Sequence, residues 1–181
     1  MKRLPIVIGL VLVVAGCAAP TEDPVSSPAP ELTTIQAAPT TQPPAVPPPD
    51  PTPARDGRCP YLDTDFAAET NGQQVSKVRL SADEPPACFF YRGNGDEQLR
   101  VQVLAAADPA VAKALVDRVT PVATSDPASL DGGWEGGRQP TATGAVFAVA
   151  KGGAAVVVVT NQKQTIKATV IAEQVITTLG L

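Results

Sequence analysis

Polar and apolar positions alternate most regularly between Gln98 and Leu104, where Leu99, Val101 and Val103 fall on one side and Gln98, Arg100 and Gln102 on the other. A period of two predicts a strand with one buried and one wet face. The same alternation runs from Val75 to Leu80, with Ser76, Val78 and Leu80 set against Lys77 and Arg79. Ala87 to Tyr91 is an aromatic stretch that also reads as a strand. Between it and Gln98, Gly93-Asn94-Gly95-Asp96 supplies the Asn-Gly of a type I′ hairpin. Farther along, Ala145 to Ala150 and Ala154 to Thr160 flank Gly152-Gly153 as a second hairpin. Its core, Val156-Val157-Val158-Val159, shows no alternation, which predicts burial on both faces.

Three segments follow the helical period instead. Asp63 or Thr64 caps a short helix through about Thr70, stopped by Asn71-Gly72. Asp108-Pro109 starts a helix to about Val119, with Val111, Ala112, Leu115 and Val119 facing inward. Gln164 to Leu179 places Ala168, Ile171, Ala172, Val175 and Leu179 on one stripe and ends at Gly180. Thr120 to Gln139 is rich in Pro, Gly, Asp and Ser and is predicted to be mostly loop. The expected fold is α+β, a mainly antiparallel sheet of four to six strands with two long helices and a short N-terminal helix.

Ahead of this domain the pattern changes twice. Met1-Lys2-Arg3 is basic, and Leu4 to Ala19 is apolar or small apart from Cys17. A run this short, with Pro5 inside it, reads as a secretory signal rather than a transmembrane helix. It closes on Val14-Ala15-Gly16-Cys17, which looks like a lipobox, so residues 1–16 are expected to be removed and Cys17 to carry the lipid. Two or three acyl chains on one cysteine are enough for stable anchoring. From Ala18 to Asp56 lie twelve of the chain's twenty prolines. Such a composition predicts a disordered Pro/Thr-rich tether over residues 17–57, able to reach on the order of 120 Å at about 3.1 Å per residue. Residues 58–181 then form a single domain, large enough for its own core.

In residues 58–181 there are 11 basic and 13 acidic residues, with no block of either sign. Nucleic acid is therefore not an expected partner. Cys59 and Cys88 remain as an even pair once Cys17 is lipidated, which in an exported protein predicts a disulfide; two free thiols or a metal pair are the alternatives. The chain contains no histidine. The usual general base and the commonest metal ligand are thus missing, and no nucleophile elbow or phosphate-cradling glycine loop is present. An enzyme is not expected, nor a metal or cofactor.

Three places remain as candidate contact surfaces. Asp131-Gly132-Gly133-Trp134-Glu135-Gly136-Gly137-Arg138 sets the only tryptophan among glycines and charges. Trp134, Glu135 and Arg138 either meet a partner or, for Trp134, plug the edge of the core. Phe89 and Tyr91 alternate with Cys88 and Phe90, so they either line a shallow apolar groove or pack inside. Asn161 and Gln162, at the junction of a strand and the last helix, either offer amides to a ligand or serve the turn.

From Cys59 onward the chain resembles an actinobacterial, mycobacterial-type lipoprotein family with a C-terminal domain of unknown function. The resemblance rests on Cys59-Pro60-Tyr61-Leu62, Pro85-Pro86-Ala87-Cys88-Phe89-Phe90-Tyr91, Gly132-Gly133-Trp134, and Val157-Val158-Val159-Thr160-Asn161-Gln162 through Thr165-Ile166-Lys167-Ala168. No functional residue is carried over from it. The expectation is a monomeric binding module, lipid-anchored to the outer face of the cell membrane, that contacts an envelope protein, glycan or lipid. A lipid carrier or accessory factor in envelope assembly is the second reading.

Overall fold

Antiparallel pairing runs without a break through eight strands in a computed structural model, which describes residues 44–181. The strands are β1 (Arg55–Asp56), β2 (Lys77–Leu80), β3 (Cys88–Tyr91), β4 (Glu97–Ala105), β5 (Asp126–Leu130), β6 (Trp134–Pro140), β7 (Ala145–Lys151) and β8 (Ala154–Thr160). Their order in the sheet is β1-β2-β3-β4-β8-β7-β6-β5. The helices are α1 (Thr64–Asn71), α2 (Pro109–Val119) and α3 (Thr165–Leu179). The expected signal segment, Cys17 and the expected tether as far as residue 43 lie outside the described residues. Among the described residues, no helix is long and apolar enough to cross a membrane.

The α+β class holds, but eight strands replace the expected four to six. The additional strands come from segments whose composition hides them. β5 and β6 lie in the stretch from Thr120 to Gln139 that reads as loop, and β1 lies in the proline-rich stretch. In β6 the glycines serve close approach rather than turning. A Cβ on Gly136 would sit 2.0 Å from the Ala148 carbonyl oxygen, and one on Gly137 would meet Ser125 and Thr120 under 3.0 Å. The turning is done at Asp131-Gly132-Gly133, where both glycines have positive φ and Leu130 pairs with Trp134 across the loop.

The helices divide between the two faces of the sheet. On one face, α3 packs on β7 and β8 and α1 packs against α3 and β4. This side holds the main core, with Phe90, Leu99, Val101, Phe147, Val156 and Val158 from the sheet and Ala168, Ile171 and Val175 from α3. On the other face α2 lies over β6, β7 and β8, and Ala112, Leu115 and Val116 meet Val146, Ala148 and Val157. The unalternating valines of β8 therefore serve both sides, Val156 and Val158 one core and Val157 the other. Each fully buried aliphatic side chain contributes roughly 1.5–3 kcal/mol.

Local signals account for the helix ends. Asp63 accepts from the backbone N–H of Asp65 at 2.9 Å and Phe66 at 3.1 Å, and Gly72 closes α1 in the left-handed region at φ 74°. Asp108 accepts from Ala110 N–H at 2.8 Å, with Pro109 in the first turn of α2. Cys59 and Cys88 are joined as a disulfide with Cα atoms 5.6 Å apart. The hairpin between β3 and β4 departs from the type I′ expectation. Gly95 N–H donates to the Arg92 carbonyl at 3.0 Å, Arg92 N–H donates to Asp96, and Gly95 sits at φ 88°. This is a three-residue loop closed by a glycine bulge, which the two flanking glycines make accessible.

The end of the proline-rich segment lies on the domain. Pro51 is buried, Arg118 at the last turn of α2 donates to Asp50 and to the Pro48 carbonyl, and Ala54 N–H donates to Leu80 at 2.8 Å. Asp56 then pairs with Lys77 and Arg79, each at 3.2 Å. Because α2 sits over β6 to β8 and β1 lies beyond β2, residues 48–56 pass along the side of β2, β3 and β4 that no helix covers.

Candidate functional site

A groove of about 580 Å³ opens between α2 and the β5–β6 side of the sheet. Pro109, Ala110 and Val116 of α2 form one wall, and Val122, Pro127 and Ala150 form much of the rest. Polar groups stand among them: Lys113 and Asp117, which pair along α2, with Thr120, Ser125 and Glu135. The groove exists because α2 crosses β6, β7 and β8 and leaves β5 uncovered. Val122 is 83 % exposed at its margin.

Trp134 and Glu135 are neighbours in sequence and go to opposite sides of β6, as the pleat requires. Trp134 is 1 % exposed in the main core, with the Lys151 ammonium 5.4 Å from its ring centre. The ring is sealed from ligands and completes the packing at the β6 end of the sheet. Glu135 is exposed and lines the groove. Arg138 is exposed on the Trp134 side of β6, paired in register with Asp126 of β5 and Phe147 of β7.

Phe89 and Tyr91 share the face opposite Cys88 and Phe90, as their alternation implies. They do not make an apolar groove. Phe89 is 1 % exposed, and the partly exposed Tyr91 stands beside Lys77, Arg79 and Arg92 in a smaller cleft. Burial and the Glu97 carboxylate push the Tyr91 phenol up, against the pull of Arg79 and Arg100. Tyr61, also buried, donates to the Pro86 carbonyl at 2.7 Å, and desolvation pushes its phenol up strongly.

Asn161 and Gln162 belong to an amide network under the α1 end of the sheet. Asn71, 1 % exposed, donates to the Gln98 side chain at 3.1 Å and accepts from the Thr160 hydroxyl at 2.5 Å. Asn161 donates to Gln73 at 3.0 Å, Gln162 donates to Asn161 at 3.0 Å, and Lys167 donates to the Asn71 carbonyl at 2.9 Å. These amides satisfy one another and tie α1, β4, β8 and α3 together.

Of the sequence-predicted contact residues, only Glu135 lies on the groove. The α2 residues that wall it carry no separate signal, because Ala110 and Lys113 look like any exposed helix positions. Among the described residues, no group of three or more acidic or cysteine side chains is placed to hold a metal. No curated protein matches the chain. A family model described as a domain of unknown function (DUF2020) matches residues 43–181, and the chain belongs to that family.

Proposed function

We propose that this chain is a membrane-anchored envelope lipoprotein of actinobacterial type whose domain is a non-catalytic binding module for a small lipid-like ligand. The groove beside α2 carries the reading. Its volume of about 580 Å³ lies within the roughly 300–1,000 Å³ of small-molecule sites, and apolar walls with a few polar groups are their usual make-up. A protein partner would instead need a surface of roughly 800 Å² per side. Lys113 is paired with Asp117, which leaves Glu135 as the uncompensated charge of the lining and favours a neutral apolar occupant over an anionic one. The second reading, a carrier for envelope lipids, rests on the same groove, but one open to solvent suits reversible binding better than enclosed transport.

Anchoring through Cys17 rests on the basic start, the short apolar run and Val14-Ala15-Gly16-Cys17. The non-catalytic reading rests on a chain without histidine whose two downstream cysteines are joined. Nucleic acid is no part of the proposal, and the module is taken to act as a monomer. Two experiments test it. In cells, Cys17→Ser is expected to move the protein from the membrane pellet to the soluble fraction; retention in the pellet overturns the anchoring. In solution, the neutral probe N-phenyl-1-naphthylamine is expected to bind the protein saturably and be displaced by diacylglycerol. Ala110→Trp, which fills the groove from an outer turn of α2, is expected to weaken the probe at least tenfold with an unchanged melting curve. Equal binding by both proteins removes the groove as the site.

A further inference from the structure

A second cleft, of about 300 Å³, lies at the opposite end of the same sheet face, where β2 meets the β3–β4 hairpin. Its lining includes Ser76, Lys77, Arg79, Tyr91 and Arg92, with Gly93 and Gly95 adding no side chains. Three of these residues are cationic and none is acidic, in a chain whose net charge is −4. The strand register explains the cluster. Lys77 pairs directly with Tyr91, Arg79 is its diagonal neighbour on the same side, and Arg92 follows where the hairpin begins. No helix covers this end of the face; Asp56 of β1 reaches Lys77 and Arg79 from the adjoining strand, and Arg92 lies beyond it.

The guanidinium groups are incompletely satisfied. The Nε atoms of both Arg79 and Arg92 are shielded from solvent and have no hydrogen-bond acceptor among the described residues. Arg79 Nε lies 3.2 Å from the Asp56 carboxylate without hydrogen-bond alignment, and Arg92 holds Asp96 through its terminal nitrogen. A shielded charged donor without an acceptor is costly, and both of these belong to residues that line the one cleft. The neighbouring carboxylates of Asp56 and Asp96 are 67 % and 59 % exposed. Such rim pairs are weak and yield readily to a better acceptor.

We propose that this cleft binds an oxyanion, the carboxylate or phosphate of a compact polar ligand such as an acidic sugar. Arg79 and Arg92 supply the directional donors, since a guanidinium matches the geometry of both groups. Lys77 adds a point charge, and the partly exposed Tyr91 ring offers a flat wall for the uncharged part of the ligand. The groove beside α2, with its apolar walls, takes no part.

The test is titration of the whole chain, followed by amide chemical shifts, with glucose 1-phosphate, glucuronate, inorganic phosphate and neutral glucose. Saturable shifts centred on residues 76–79 and 91–95 are expected with the anions and not with glucose, and affinity is expected to fall as salt rises. Glucose 1-phosphate binding more tightly than both glucuronate and inorganic phosphate would assign a sugar phosphate, and the reverse order an acidic sugar or free phosphate. Arg92→Gln is expected to weaken binding at least fivefold. Lys77→Gln, which leaves the Arg92–Asp96 pair of the hairpin in place, is expected to weaken it two- to threefold, and Arg138→Gln at the far edge is expected to leave it unchanged. Anions that bind no better than glucose, or equal losses from Lys77→Gln and Arg138→Gln, overturn the proposal.

Discussion

Arg118 and Asp50 lie 68 residues apart in the chain and meet at 2.9 Å, fastening the proline-rich segment to the C-terminal turn of α2. Together with the pairing of β1 on β2 and the burial of Pro51, this contact makes residues 48–56 part of the folded domain. The Asp50 side chain is 71 % exposed, so the ion pair alone is weak, about 0.2–1 kcal/mol. Asp50→Ala is expected to cost less than about 1 kcal/mol in urea denaturation while speeding amide exchange at Ala54 and Gly57. Deleting residues 44–57 is expected to cost more, because Pro51 and the β1 hydrogen bonds go as well. An unchanged urea midpoint after the deletion would show that the segment adds nothing to the fold.

The disulfide ties the start of the domain to β3 across 29 residues of sequence. Closing a loop of that length removes about 3–4 kcal/mol of chain entropy from the unfolded state. Reduction, or Cys59→Ser with Cys88→Ala, is expected to lower stability by that order while leaving far-UV circular dichroism unchanged at low temperature. A loss under about 1 kcal/mol would mean that the unfolded chain is already confined near this pair.

Asn71 is the centre of the amide network, and its removal leaves the Gln98 side-chain oxygen without its donor and the Thr160 hydroxyl without its acceptor. Asn71→Ala is expected to cost about 2–3 kcal/mol and Thr160→Val about 1–2 kcal/mol. Since the two share one hydrogen bond, the double variant is expected to lose less than the sum. Strict additivity in a double-mutant cycle would refute the coupling.

What the sequence reveals and what it hides divide along side-chain pattern. The helix caps at Asp63 and Asp108, the paired cysteines and the two-sided burial of Val156 to Val159 are legible because each depends on its own residues and near neighbours. β5 and β6 are not, because Gly136 and Gly137 lower strand propensity while meeting tertiary needs, the approach of β7 at Gly136 and of Thr120 and Ser125 at Gly137. β1 is concealed in the same way by the prolines around it. For the site, Glu135 is readable as an exposed charge, but the groove depends on where α2 crosses the sheet, and no local pattern encodes that crossing. Trp134 misleads for the opposite reason: glycine neighbours suggest an open loop, whereas here they let the strand pair closely while the ring packs inward.

That difference between turning and packing glycines is measurable. At Gly133, with φ 85° and open space where a Cβ would go, Gly133→Ala is expected to cost only the left-handed conformation, about 1–2 kcal/mol. At Gly136 the added atom would overlap the Ala148 carbonyl at 2.0 Å. Gly136→Ala must therefore push β6 from β7, and its expected cost exceeds that of Gly133→Ala by at least about 2 kcal/mol. Similar losses for the two, measured by thermal or urea unfolding, would mean that β6 does not pair as tightly as its register requires.

Glu97 at the start of β4 has its carboxyl pushed up from 4.5, chiefly by burial, with Arg100 opposing at 3.9 Å. A carboxyl raised in the folded state binds its proton more tightly there than in the unfolded chain, so the folded state is favoured while Glu97 is protonated. As pH rises from 4.5 through the raised value, that advantage is lost, and above it the ionised group carries a net cost of folding. The nearby Tyr91 phenol is itself pushed up and stays neutral throughout this range. Glu97→Gln mimics the protonated form at every pH. The variant is expected to match the wild type near pH 3.5 and to become progressively more stable than it toward pH 7, by a small margin because the side chain is 37 % exposed. The comparison calls for urea denaturation at half-unit pH steps. A wild type that gains on the variant as pH rises would instead show that Arg100 outweighs burial at this position.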